Sequence, residues 1–183
     1  MKHLFALIVI ISFAACGGSK KSEVDLVTDF NSRLDEFDRD WNSGKVENLK
    51  SQSDTILLLA EEVMKEYPQS KDLPLILFNS GETAYKMKYG EKAISYYSKL
   101  VELFPANGDA AEAMYQIGIV YENILMNADK AVEAYKQLRK TYPQSQWASY
   151  AKGSIMFLKD KEKFFNDVEV RLKKSEDSLA AIK

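Results

Sequence analysis

Residues 81–105, GETAYKMKYGEKAISYYSKLVELFP, and residues 118–143, GIVYENILMNADKAVEAYKQLRKTYP, carry the same four marks in the same order. In the first stretch Gly81 is followed by Ala93, Tyr97 and Pro105, at intervals of twelve, four and eight residues. In the second, Gly118, Ala131, Tyr135 and Pro143 follow with one extra residue, placed in the turn around Asn127-Ala128. Each mark has a packing role. Gly and Ala let two helices approach closely, and an aromatic ring fills the space between neighbouring hairpins. Proline stops the second helix, because it donates no hydrogen bond and its ring clashes with the preceding turn.

Further marks extend the pattern outward. Tyr67-Pro68-Gln69-Ser70, Phe104-Pro105-Ala106-Asn107 and Tyr142-Pro143-Gln144-Ser145 space their prolines 37 and 38 residues apart. An aromatic stands three residues before a glycine at Phe78/Gly81, Tyr115/Gly118 and Tyr150/Gly153. A period of this length signals a stack of supersecondary units. Together the marks resemble tetratricopeptide repeats, clearest over 72–106 and 109–144. The unit opened by Gly153 loses its Ala and Pro, as terminal repeats often do.

The flanks are helical too. Val27, Phe30, Leu34, Phe37 and Trp41 recur every three or four residues, with Ser22 and Asp25 as a capping pair and Ser43-Gly44 as the break. Val46, Leu49, Ser53, Ile56, Ala60, Val63 and Tyr67 repeat the spacing, and Phe165, Val168, Leu172, Leu179 and Ile182 give a last amphipathic helix. The expected fold is all-α, about eight helices in four hairpins over residues 24–183. The resemblance implies a right-handed superhelix with a concave face. The seam over 24–41 is short for a coiled coil, which favours packing inside the chain over self-association.

Ahead of this domain, Lys2, an apolar run from Leu4 to Ala15 and then Cys16 have the order of a secretory signal peptide. The run is too short to span a bilayer, which takes about 20 residues. Phe13-Ala14-Ala15-Cys16 resembles the lipobox of bacterial lipoproteins, with Phe13 where Leu is usual. The resemblance implies cleavage after residue 15 and acylation of Cys16, whose lipid is the only non-protein group expected. Residues 16–23 then form a tether rich in Gly and Ser. The residue after Cys16 is Gly rather than Asp, which by lipoprotein sorting points to the outer membrane, and the basic Lys20-Lys21 pair is no acidic surface-export tag, which points to the periplasmic side.

Composition excludes several chemistries. Cys16 is the only cysteine and His3 the only histidine, so the chain can build neither a Cys/His zinc site nor a Ser–His–Asp centre in its mature form. No Gly-rich phosphate loop or calcium loop is present. Asp35–Asp40 reads as a solvated helix face, and Glu61, Glu62 and Glu112 as isolated exposed carboxylates. A net charge of −2 leaves no footprint for nucleic acid. The expectation is therefore no enzyme and no metal.

In tetratricopeptide proteins the first helix of each hairpin lines the groove. Carried onto this chain, that gives three columns: Phe78, Tyr115 and Tyr150; Asn79 and Gln116; Tyr85, Glu122 and Phe157. Rings supply stacking area and amides supply backbone hydrogen bonds to an extended peptide, though the rings could equally pack against the next hairpin. The pairing of lipobox and short repeat array is similar to two envelope families. One is the BamD-type lipoprotein of outer-membrane β-barrel assembly. The other is the YbgF-type periplasmic adaptor of the Tol–Pal system. The expected role is an envelope protein-interaction scaffold, partnered by other envelope proteins through the groove and by the bilayer through Cys16. A homotypic structural lipoprotein is the remaining alternative, and the oligomeric state stays open.

Overall fold

The computed structural model describes residues 20–180. The signal peptide, Cys16 and Ile182 lie outside the described residues, as does the tether up to residue 19. Among the described residues seven helices follow one another: α1 (Glu23–Asn42), α2 (Leu49–Glu66), α3 (Leu73–Lys86), α4 (Gly90–Leu103), α5 (Ala110–Asn123), α6 (Ala128–Thr141) and α7 (Gln146–Ala180). There is no strand among the described residues.

Each helix packs on the next, making the hairpins α1/α2, α3/α4 and α5/α6, with α7 against α6 and also reaching α5. Stability in such a stack comes from neighbour contacts rather than one central core. Two buried clusters share the work. The larger runs from Leu26 and Phe30 of α1 through Ile56, Leu77 and Tyr97 to Val120 of α5. The smaller joins α5, α6 and α7 through Ala111, Tyr135, Leu138, Ala151 and Ile155.

The Pro-containing strings build one turn three times. Helices α2, α4 and α6 end at Tyr67, Phe104 and Tyr142, each with φ between −126° and −135° and ψ between 55° and 59°, outside the α region that a following proline disfavours. The next helix is then launched by matching bonds, from the N–H of Ser70, Asn107 and Ser145 to the carbonyls of Tyr67, Phe104 and Tyr142 at 2.9, 2.9 and 3.1 Å. Two of these tyrosines reach further. The Tyr67 hydroxyl donates to the carbonyl of Lys21 at 2.7 Å and the Tyr142 hydroxyl to that of Pro105 at 2.9 Å, so the end of each hairpin is tied to its beginning. Phe104, lacking the hydroxyl, leaves the middle hairpin without this tie.

Several sequence expectations are met in detail. Ser22 and Asp25 form the reciprocal capping box at the start of α1. The connection α5–α6 carries the extra residue: Ile124–Asn127 replaces the three residues Met87–Tyr89 of α3–α4, and each connection holds one non-glycine residue at positive φ, Met126 and Lys88. The seam of α1 is spent inside the chain, where Leu26, Phe30 and Phe37 are buried and Val27 and Leu34 pack beside them.

The far end differs from expectation. The expected eight or so helices in four hairpins reduce, among the described residues, to three hairpins and one long helix, because the stretch after Gly153 runs on without a turn. Residues 154–180 hold neither Gly nor Pro, and Lys, Glu, Leu and Phe in that run give the chain no reason to stop. Gly153 accordingly opens no second hairpin: it is exposed, and a Cβ there would meet nothing within 4 Å.

At the near end the last part of the expected tether lies on the domain. Glu23 already belongs to α1. Lys20 pairs with Glu66 at 2.6 Å and stands 5.4 Å over the Tyr67 ring, while Lys21 pairs with Asp29 at 2.6 Å. Hydrogen bonds from Lys20 and Lys65 hold the Glu66 carboxyl down at about 2.

Candidate functional site

The odd-numbered helices α3, α5 and α7 share one face of the stack, joined side chain to side chain. Tyr115 of α5 lies 5.3 Å from the Tyr135 ring of α6, 5.3 Å from Trp147 and 6.3 Å from Tyr150, both of α7. Its hydroxyl shares a 3.2 Å hydrogen bond with Ser154. Between α3 and α5, Asn123 donates to the Tyr85 hydroxyl at 3.3 Å.

The repeat marks sit directly beneath this face. Gly118 in α5 faces the ring of Tyr135 from α6, and Gly81 in α3 faces that of Tyr97 from α4. Both rings are fully buried, yet both hydroxyls surface at a carboxylate of the face: Tyr97 donates to Glu82 and Tyr135 to Glu122. Burial first, then the adjacent glutamate, pushes each phenol far above its ordinary value, so both stay protonated donors.

Residues 112–145 match the tetratricopeptide repeat family. No curated protein shows a match to the chain. The matched tetratricopeptide repeat contains Gly118, Ala131, Tyr135 and Pro143, and the all-helical stack around it is a tetratricopeptide-like superhelix of hairpins. Tetratricopeptide repeats in general mediate protein–protein contacts.

The predicted columns fall out unevenly on this tetratricopeptide scaffold. Phe78 is half-buried and set edge-on to Tyr97 at 5.8 Å, a packing role first. Tyr115 is half-buried within the ring cluster. Tyr150 and Phe157 remain 54% and 61% exposed, which leaves ring area for a partner. Asn79 and Gln116 are half-buried, and their side-chain amides make no hydrogen bond among the described residues. Tyr85 borders an open pocket of about 380 Å³ with Trp41, Lys86 and Asn123. Glu122 borders a second of about 310 Å³ with Met126, Leu158 and Phe165, so these two members of one column serve different hollows.

Sequence reasoning missed three contributors. Trp147 and Glu112 stand three residues before Tyr150 and Tyr115, one helical turn earlier on the same face, so the spacing that found the tyrosines could have found them. Glu82 follows Gly81 directly, where no column was sought.

Two acidic readings change. Glu61 pairs with Lys99 at 3.7 Å. Glu112, read as isolated and exposed, is half-buried, and burial, then Asp109, then Glu82 raise its carboxyl above the ordinary range. A carboxyl that holds its proton more tightly in the folded chain loses stability as pH rises through that window, and its ionised form opposes folding at neutral pH. Glu112→Gln removes the penalty. Its Tm at neutral pH is expected to equal or exceed that of the unmodified protein, with the two converging below pH 4.5, the ordinary value of the group. A lower Tm at neutral pH would show that Glu112 stabilises the fold instead.

Proposed function

We propose that the chain is a lipid-anchored, non-catalytic protein-interaction scaffold of the bacterial cell envelope, engaging its partner on the face of α3, α5 and α7. The observation that carries the interaction is the ring cluster of Tyr115, Trp147 and Tyr150 with Phe157 beyond it. These rings come from two helices, and Tyr150 and Phe157 of α7 stay open to solvent while Trp147 is half-buried. Aromatic side chains offer large contact area at low entropy cost, which is why they anchor protein interfaces.

The envelope assignment is supported by the sequence at Lys2–Cys16, with Cys16 as the acylated residue and the outer membrane, periplasmic side, as the location. The resemblance to BamD-type lipoproteins makes assembly of outer-membrane proteins the favoured setting. The YbgF-type adaptor of Tol–Pal is second, supported by the Tyr-Pro-x-Ser hairpin ends. Self-association through 24–41 ranks third, because Leu26, Phe30 and Phe37 of that seam are buried within the chain.

A photo-crosslinking amino acid placed at Tyr150 or Phe157 in growing cells tests the face and the setting together. Adducts with β-barrel assembly subunits are expected from these two positions and not from exposed Glu133 on α6. Adducts with Tol–Pal proteins instead would move the chain to the second setting. Equal labelling from Glu133 would remove the face from consideration. Cys16→Ala is expected to shift the protein from the membrane to the soluble fraction.

A further inference from the structure

The face carries charge as well as rings. Glu82, Glu112 and Glu122 stand on α3 and α5, and none has an ion-pair partner among the described residues. Lys86, the one cation of α3, is committed elsewhere: it pairs with Asp38 at 2.7 Å and lies 5.7 Å over the Phe37 ring. Lys88 and Lys161 border the hollows of Glu82 and Glu122 but make no ion pair with either carboxylate among the described residues. The tyrosines beneath hold two of the carboxylates in place. Tyr97 takes one oxygen of Glu82 and Tyr135 one oxygen of Glu122, and in each case the second oxygen has no donor among the described residues. Glu112 has no internal hydrogen bond and lies close enough to Glu82 for the two charges to be felt. Tyr85 borders the same hollow as Glu82, and Tyr115 stands one helical turn after Glu112 on α5.

We infer that the occupant of this groove is an extended partner segment carrying lysine or arginine side chains, whose cations meet the free oxygens of Glu82, Glu112 and Glu122 while their stems lie on the neighbouring rings. The inference rests on the face being the partner site. Cations gain from carboxylates and from ring faces alike, and their long apolar stems suit an aromatic floor. An acidic segment would meet three like charges. A neutral one would cover the carboxylates and leave their lone pairs unpaired, which costs free energy. A second copy of this chain is disfavoured on the same ground, since it would set Glu82, Glu112 and Glu122 against a chain whose net charge is −2.

The test is selection of random dodecapeptides displayed on phage against the purified protein, followed by titration of the synthetic winners. Winners are expected to carry two or more Lys or Arg residues and to bind less tightly as salt rises. Glu82→Gln, Glu112→Gln and Glu122→Gln combined should weaken them by about tenfold or more, and Glu112→Gln alone by about threefold. The single variant breaks no internal bond, so it decides the matter if the triple variant folds poorly. Winners without basic residues, lost on Tyr150→Ala with Phe157→Ala, would overturn the cationic assignment and keep the groove. Winners indifferent to both sets of substitutions, or no winners, would remove the groove itself and the inference with it.

Discussion

Gly118→Ala is expected to destabilise the protein by about 1–3 kcal/mol, although alanine is the better helix former by about 1 kcal/mol. The reason is the ring of Tyr135. A Cβ on Gly118 would run into its Cε1, Cδ1 and Cζ, and that ring is fully buried, hydrogen-bonded to Glu122 and packed on Tyr115. Its room to shift is small, so α5 and α6 must part. Gly153→Ala supplies the control: the same change, in a helix with nothing within 4 Å of the new methyl, should stabilise by about 0.5–1 kcal/mol. Denaturant titration of the two variants reads both signs. A stabilised Gly118→Ala would mean the hairpin tolerates a wider helix spacing than its glycine suggests.

Tyr97→Ala should cost more, about 3–5 kcal/mol. Tyr97 is wholly buried between Gly81 and Phe78, whose ring it meets at 5.8 Å, and it is among the largest side chains of the main cluster. Removing it opens a void between α3 and α4 that neighbours cannot fill. Tyr97→Phe separates volume from hydroxyl. It keeps the packing and loses only the bond to the Glu82 carboxylate, for about 1.5–3 kcal/mol. Equal losses for Ala and Phe in thermal melts would show that the hydroxyl, not the ring, holds the hairpin.

Much of the fold was legible because its causes are local and recur. A Gly–Ala–Tyr–Pro pattern names two close-packed helices, the ring between them and the stop, and Gly81/Tyr97 and Gly118/Tyr135 meet as that pattern requires. Ser22 and Asp25 were legible for the same reason, since a capping box is written within four residues. The continuity of α7 was not. Gly153 and the aromatic before it imitate a repeat, and only the lack of a breaker afterwards distinguishes the two. The face was legible in part. Tyr115 and Tyr150 follow from their distance to a glycine. The partners that give them meaning, Trp147, Ser154 and the hydroxyl-held carboxylates, depend on which helix lies opposite, and that is a property of the stack.

The clamp on Lys20 and Lys21 also works as a ruler. Two ion pairs, a ring and the Tyr67 hydroxyl fasten the chain to the domain from residue 20 onward. If Cys16 carries the proposed lipid, its Cα is four Cα steps from residue 20, at most about 14 Å away. A domain so anchored could not tumble freely above the bilayer. It would present the first hairpin to the headgroups and carry the face of α5 and α7 outward at a set height, and any partner reaching that face would have to arrive at that level.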